Sequence, residues 1–319
     1  MNRRIFLGLT TVLAMLPLSV FAQDKLPVVA SFSILGDMVA EVGGDRVAVT
    51  MLVGPDGDAH VYQPTPADAQ MIAGASLVVV NGLGFEGWLD RLIEASEYKG
   101  PMVVATEGVT ALEMAKEGHD DHAEGEAHAE GEAHDHDHEG HDHGGTDPHA
   151  WQSVDNARIY VSNIAAALIA ADPEGEEVYT SNASAYLATL TAIEAEIQAA
   201  MVALPEDRRS VVTSHDAFGY FAAAYGMTFH APEGISTEAE ASAADVAALI
   251  TQMKAEAIPA VFMENISDSR LLEQITAETG ATVGGTLFSD ALSGPDGPAS
   301  TYLNMMRYNI ATLTAALKE

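Results

Sequence analysis

From Leu26 onward the chain alternates short β-branched runs with stretches of helical spacing, and that alternation limits the possible folds more than any other feature. LPVVASF, RVAVTMLV, SLVVVNG and PMVVAT read as strands, with helices around Ile34 to Val42, Pro66 to Ala75 and Phe85 to Ala95. Apolar strands separated by helices predict βαβ units, which need a parallel sheet with helices packed on its faces. The pattern resumes near Ser210: SVVTS, MTFHAP, AVFMEN and TVGGTL read as strands, and helices fall around Ala217 to Tyr225, Ser242 to Ala257, Ser269 to Thr279 and Pro298 to Leu317. The expectation is an α/β protein of two lobes, each a (β/α)4 unit with a parallel sheet. No strong repeat relates the halves residue by residue, so this expectation rests on pattern.

Two helices are predicted between the halves. Ser153 reads as an N-cap, with Val154, Ala157, Val161, Ile164 and Leu168 following on one face. Asp172-Pro173 reads as an N-cap and first-turn proline, and the chain then stays helix-compatible to Leu204, before Pro205. Its apolar positions Val178, Tyr186, Leu190, Ile193, Ile197, Met201 and Leu204 lie near helical spacing. Such a helix is about 45 Å long, enough to run along both lobes as a rigid connector. The expected bounds are a signal peptide over 1–22, a first lobe over 23–171, the linking helix over 172–204 and a second lobe over 205–319.

The chain opens MNRRIFLGLTTVLAMLPLSVFAQDK, with Arg3 and Arg4 before an apolar run from Ile5 to Val20 and Val-Phe-Ala at positions 20 to 22. That is the pattern of a secretory signal peptide cut after Ala22, and the run is too short for a membrane anchor. Arg3-Arg4 before Ile-Phe-Leu also loosely resembles a twin-arginine signal, so both export routes stay open. The chain contains no cysteine. A lipid-modified cysteine, disulfides and thiolate metal sites are thereby excluded, and the expected mature protein is soluble, with nitrogen and oxygen as its metal donors. Cleavage removes two positive charges and no negative ones, taking the formal charge from −33 to −35. Such a charge disfavours nucleic acid as a partner and favours cations.

Residues 118–145 hold eight histidines and ten acids, and HAEGEA at 122–127 recurs at 128–133. A segment of glycine, acid and histidine cannot bury a core, so a mobile loop is expected. Its histidines, His119, His122, His128, His134, His136, His138, His141 and His143, are candidate auxiliary weak zinc sites that raise the local metal concentration or receive metal from a donor. A solvated insertion of no consequence is the plainer alternative.

Only His60, His149, His215 and His230 lie outside that tract. His60 sits in VGPDGDAHVYQPTPAD after the second strand, His149 in TDPHAW before a helix, and His215 in SHDAFGYFAAAYG after RRSVVTS. Asp290 sits in FSDALSG after TVGGTLF. Each alone is a weak signal, and a histidine in a Gly/Asp/Pro loop such as that of His60 is more often a turn or solvated residue than a ligand. Together they occupy comparable places, two from each lobe, and ligands of open α/β sheets bind beyond the strand ends. A cleft between the lobes would collect three imidazoles and one carboxylate, a set suited to tetrahedral Zn2+, whereas Mn2+ takes more oxygen. His230, in MTFHAP, has no comparable motif and is read as structural or surface.

DAHVYQPTP, DPHAW, SHDAFGYFAAAYG, GISTEAEASAADV and FSDAL, in that order, resemble the periplasmic metal-binding receptors of bacterial ABC importers, in particular their ZnuA/AztC-like zinc group. The resemblance covers essentially the whole mature chain. It implies two (β/α)4 lobes joined by a rigid backbone helix, with one metal at the lobe interface held by His60, His149, His215 and Asp290. Manganese receptors of the group tend to have glutamate at the third position, where this chain has His215, so zinc is the expected metal and manganese the runner-up. The implied function is capture of periplasmic Zn2+ by a monomer that is not an enzyme, and its delivery to an ABC permease in the inner membrane. A periplasmic zinc metallochaperone is a further candidate partner. Two departures from the group are Ala241-Ser242 after Glu240, where Pro-Ser is frequent, and the absence of a second-lobe disulfide, which resembles the AztC-like branch.

Glu264, Asp58, Tyr62, Trp151 and Ser214 are candidates to support the ligands or line the cleft, because ligating imidazoles donate their other N–H to an oxygen. Two other function classes remain open. One is a zinc hydrolase with Asp290 as base, which would need an open coordination position and has no H-E-x-x-H pair here. The other is a zinc buffer or surface adhesin acting through the tract. A single long connecting helix further predicts small lobe movements, or loop motion around His60 and the tract, on metal release.

Overall fold

The computed structural model describes residues 24–113 and 145–318. The signal segment and the eight tract histidines lie outside the described residues. The first lobe contains β1 (Leu26–Phe32), α1 (Ser33–Gly43), β2 (Val47–Val53), α2 (Pro66–Ala73), β3 (Leu77–Val80), α3 (Leu89–Ser96) and β4 (Met102–Val104). Helices α4 (Val154–Ala171) and α5 (Glu176–Val202) follow. The second lobe contains β5 (Ser210–Val212), α6 (Gly219–Tyr225), β6 (Thr228–His230), α7 (Ala243–Glu256), β7 (Ala260–Glu264), α8 (Arg270–Thr279), β8 (Thr282–Leu287) and α9 (Tyr302–Leu317).

The strands form two four-stranded sheets, in the orders β2-β1-β3-β4 and β6-β5-β7-β8. Every pairing is parallel, as the βαβ reading requires. The central strands are apolar on both faces because helices cover both: Val28 to Phe32 of β1 and all of β3 are buried. In β8 the pairing shifts register opposite Val261 and Phe262. Gly285 there has φ of 132°, and a side chain at Gly284 would meet the Phe262 ring, so both positions call for glycine.

Helix α5 is the connector. Its buried residues Tyr179, Ala183, Tyr186, Leu190, Ile193, Ile197 and Met201 recur every three or four positions, a stripe down one face. Val178, expected on that stripe, is exposed, because Tyr179 takes the buried position one residue later. The 27 residues of α5 give a rod of about 40 Å. It packs on α1 and α4 of one half and on α9 of the other. A single hydrophobic core therefore runs through both lobes, from β1 and α1 across α5 to Phe262, Leu287 and the inner face of α9. A smaller cluster of Val212, Leu249, Ile250, Met253, Val261, Leu272 and Ile275 fills the space under α7 and α8.

Of two expected caps, one is absent and the other does further work. Ser153 precedes α4 in an extended conformation but makes no side-chain cap; the Tyr225 hydroxyl instead accepts from the Val154 N–H at 3.3 Å. Asp172 closes α4 and opens the turn Pro173–Gly175, where its carboxylate accepts the backbone N–H of Glu174 as an N-cap does. It accepts from Arg46 Nε and Nη2 at 2.9 and 3.0 Å and from the Tyr179 hydroxyl at 2.6 Å, tying the α4–α5 junction to the end of α1. Among the described residues no helix is long and apolar enough to cross a membrane.

Candidate metal centre

Four loops converge where the lobes meet. His60 stands in the loop after β2, and His149 opens the turn Ala150–Gln152 that leads into α4. His215 follows β5 and Asp290 follows β8. All four side chains are buried, and one ligand atom from each lies within 4.8 Å of the others.

The inner geometry is tight. His60 Nε2 is 3.2 Å from His149 Nε2 and 3.2 Å from Asp290 Oδ2. His215 Nε2 is 3.0 Å from the same Asp290 oxygen, and His149 Nε2 is 3.6 Å from Asp290 Oδ1. A tetrahedron with metal–ligand bonds of roughly 2.0–2.1 Å has edges of about 3.3 Å, so these separations suit one divalent cation at the centre.

Carboxylates behind the imidazoles orient them. Asp147 Oδ1 lies 2.8 Å from His149 Nδ1 and also accepts the His149 backbone N–H at 2.9 Å. Glu264 Oε2 lies 2.8 Å from His215 Nδ1, while its Oε1 accepts the backbone N–H of Ser214 and His215 at 2.7 and 3.0 Å. A proton held on Nδ1 by each carboxylate leaves the Nε2 lone pair facing the centre. Asp58 Oδ1 accepts the backbone N–H of His60 at 2.9 Å. The wall is aromatic: Phe85 meets the His60 ring edge-on with centroids 4.8 Å apart, and Trp151 meets His149 at 5.3 Å.

Burial and charge compete at the imidazoles. Burial pushes the His149 pKa down, but Asp290 and Asp147 outweigh it and raise the value to about 9. For His215 burial again opposes the charge, and Glu264 and Asp290 hold the pKa well above the ordinary imidazole value. Asp290 shows the converse: burial would raise its pKa, and the flanking His149 and His215 hold it well below the usual carboxylate range. The site is thus built for a positive charge, carried by protons or by a cation.

Of the supporting residues expected from sequence, Glu264 and Asp58 touch candidate ligands as described. Ser214 contributes a backbone N–H to Glu264. Trp151 stands one layer back, its indole donating to the Ser289 carbonyl at 2.9 Å beside Asp290. Tyr62 does not reach the cleft: its hydroxyl donates to Asp68 and its ring meets Trp88 edge-on, with centroids 5.1 Å apart. It borders a surface groove between α2 and α3 that includes none of the four candidate ligands. His230 pairs with the Ser210 side chain at 3.0 Å, away from the centre. Asp147 was not anticipated. An aspartate two residues before a histidine, as in Asp147-Pro148-His149, is the available signal, since that spacing lets the carboxylate cap the following backbone.

The sequence profile of "Zinc-uptake complex component A periplasmic", ZnuA, matches residues 28–316. The chain is 30% identical over 296 residues to the manganese-binding lipoprotein MntA of Halalkalibacterium halodurans, covering 93% of this chain and 90% of that one. It is 30% identical over 301 residues to the iron ABC transporter substrate-binding lipoprotein MtsA of Streptococcus pyogenes serotype M1, covering 92% and 90%. Its fold is similar to that of the periplasmic zinc-binding protein TroA from Treponema pallidum, with a TM-score of 0.81 at 27% identity over 92% of this chain and 99% of that one. Two lobes built on parallel four-stranded sheets agree with that likeness, and the chain belongs to the periplasmic zinc-uptake component A family.

Proposed function

We propose that this protein captures one Zn2+ ion from the periplasm through His60, His149, His215 and Asp290 and delivers it to the permease of an ABC importer. The observation that carries this reading is the buried three-imidazole, one-carboxylate set with ligand separations of 3.0–3.6 Å. Relatives are named for manganese, iron and zinc, so membership of the family leaves the metal open. Three nitrogen donors against one carboxylate favour zinc over manganese, which prefers oxygen-rich sites. Asp290 stands at ligand distance from the same centre as the imidazoles, which fits a closed binding shell and not a base acting on a metal-bound water.

The histidines of residues 118–145 add weaker zinc sites that collect metal or accept it from a periplasmic donor protein. Deleting 118–145 is expected to leave one tight zinc per chain and remove only the additional ions, as read by calorimetry.

Zinc outbinds manganese at most nitrogen and oxygen sites, so affinity alone does not name the cargo. The deciding measurement is the metal content of protein recovered from the periplasm of cells given both metals, together with growth of a deletion strain on limiting zinc or limiting manganese. Zinc in the protein and a growth defect confined to low zinc are expected. Manganese or iron in the protein, with a defect confined to that metal, overturns the zinc assignment.

A further inference from the structure

The loop that carries His60 is fastened on both sides of the cleft. Near its start, the Asp56 N–H donates to the Leu292 carbonyl at 2.8 Å, and Asn265 Nδ2 donates to Asp56 Oδ1 at 3.0 Å. Both bonds run to the second lobe, next to Asp290. Asp56 has φ of 55°, a left-handed conformation that aspartate tolerates better than most residues and that turns the chain toward the cleft. One residue before His60, the Trp88 indole donates to the Ala59 carbonyl at 2.7 Å and holds the loop to its own lobe.

Asp58 stands between these anchors and faces two ways. Its Oδ1 accepts the N–H of His60, while its Oδ2 accepts the hydroxyl of Thr237 at 2.6 Å. Thr237 belongs to residues 231–242, a segment without helix or strand between β6 and α7 in the second lobe. Glu238, Ala239 and Glu240 beside it are exposed, and Thr237 itself is half-buried. Among the described residues no other hydrogen bond joins this segment to the first lobe. The Asp56 side of the loop thus has a backbone bond and a side-chain bond, whereas the Thr237 side has one bond, attached through Asp58 to the backbone of a candidate ligand.

We propose that the Thr237–Asp58 hydrogen bond is the latch that retains the bound metal, and that metal leaves by separation of residues 231–242 from the His60 loop. The inference rests on the metal-receptor reading above. When the latch is closed, Asp58 cannot turn without breaking either the Thr237 bond or its bond to His60, so His60 stays aimed at the centre. When it opens, Asp58 loses its own bond to the second lobe and is free to turn away from the His60 N–H, while the Asp56 bonds to Leu292 and Asn265 and the contacts of Asp147 and Glu264 with the other two imidazoles remain in place. Thr237 is a positioning residue: it acts on the metal through Asp58 and touches none of the four ligands.

The test is metal release from the full chain. Wild type, Thr237→Val and Thr237→Ser are loaded with one Zn2+ and mixed with excess colorimetric chelator in a stopped-flow instrument, and metal-free samples are melted in parallel. A hydrogen bond to a charged group is strong enough that its loss should speed release about tenfold. Thr237→Val is therefore expected to release zinc about tenfold faster with an unchanged metal-free melting temperature, and Thr237→Ser, which keeps the hydroxyl, to stay near the wild-type rate. Release from Thr237→Val less than about threefold faster than wild type overturns the latch, as does a serine variant as fast as the valine one, since both fall short of what loss of a charge-assisted bond predicts. A lowered metal-free melting temperature in Thr237→Val alone also overturns it, because the residue is then structural. Wild-type protein that retains no zinc overturns the receptor reading itself, a result distinct from a tight wild type with an unaltered variant.

Discussion

His149 and His215 are each gripped on Nδ1 by a carboxylate, so the supporting acids matter nearly as much as the ligands. Replacing Glu264 by Gln keeps the shape but offers an amide where His215 Nδ1 and two backbone N–H groups now meet oxygens. Such outer partners typically contribute 10–100-fold in metal affinity, so E264Q is expected to weaken zinc binding by about that factor in a competition titration. Protons compete for the same site. The His149 pKa of about 9 in the metal-free protein means that a metal arriving at neutral pH displaces a proton, so apparent affinity should climb from pH 6 to about pH 9. An unshifted imidazole would stop mattering above about 6.5, and titrations at pH 7, 8 and 9 distinguish the two cases. The same shift acts on stability with a definite sign. A raised imidazole pKa contributes stability that is present below the unfolded value of about 6.5 and is lost as pH rises through about 9. At this scale the four candidate ligands were legible only together: none of the loops marks a ligand by itself, but His60, His149, His215 and Asp290 all follow a strand or open a helix, two in each lobe. Asp147 escaped notice because a single aspartate in a turn has many ordinary uses, and Tyr62 was misplaced because position along a loop does not tell which way a side chain turns.

Helix α1 links the lobes through its first residue and through its middle. Ser33 accepts the Leu292 N–H at 2.9 Å, and Asp37 Oδ2 accepts the Tyr302 N–H at 2.8 Å, at the start of α9. Burial raises the Asp37 pKa to about 7, against the opposing effect of the Tyr302 bond. A carboxylate with its folded pKa raised contributes stability that is complete below the unfolded value of 3.8 and is lost as pH rises toward 7. D37N, which cannot ionise, is expected to flatten the pH dependence of the metal-free melting temperature between pH 5 and 7.5. On α5, Ile193 is fully buried within the core shared by the lobes. Truncation to alanine there leaves a cavity, so I193A is expected to lose about 2–5 kcal/mol in denaturant unfolding. These elements were read closely from periodicity, since 3.6-residue and strand-like patterns survive in the sequence wherever a face is buried. The caps were read only in part. At Ser153 a tyrosine hydroxyl takes the place of the side-chain cap, and Asp172, which does accept the Glu174 N–H, also binds an arginine from a distant part of the chain.

The whole molecule is two sheets on one core. Because α5 and α9 belong to the same buried cluster as β1 and α1, the lobes should not melt separately, and calorimetry of metal-free protein is expected to show one transition; two resolved transitions would contradict the shared core. That continuity also opposes wide hinge opening, and it agrees with release through a local latch at Thr237. The sequence alone determined the class of fold, the pairing of strand-rich halves about a long helix, the four residues with ligand character and the exclusion of thiolate chemistry. Each of these follows from residue type and local spacing, which the chain carries wherever it goes. Only the tertiary structure decided that the four side chains stand 3.0–3.6 Å apart, that Asp147 and Glu264 hold two of them, and that Asp58 answers to Thr237 from the other lobe. Those contacts join residues up to 230 positions apart, His60 and Asp290 (290 − 60), and such distances are set by how the two sheets pack on a common core.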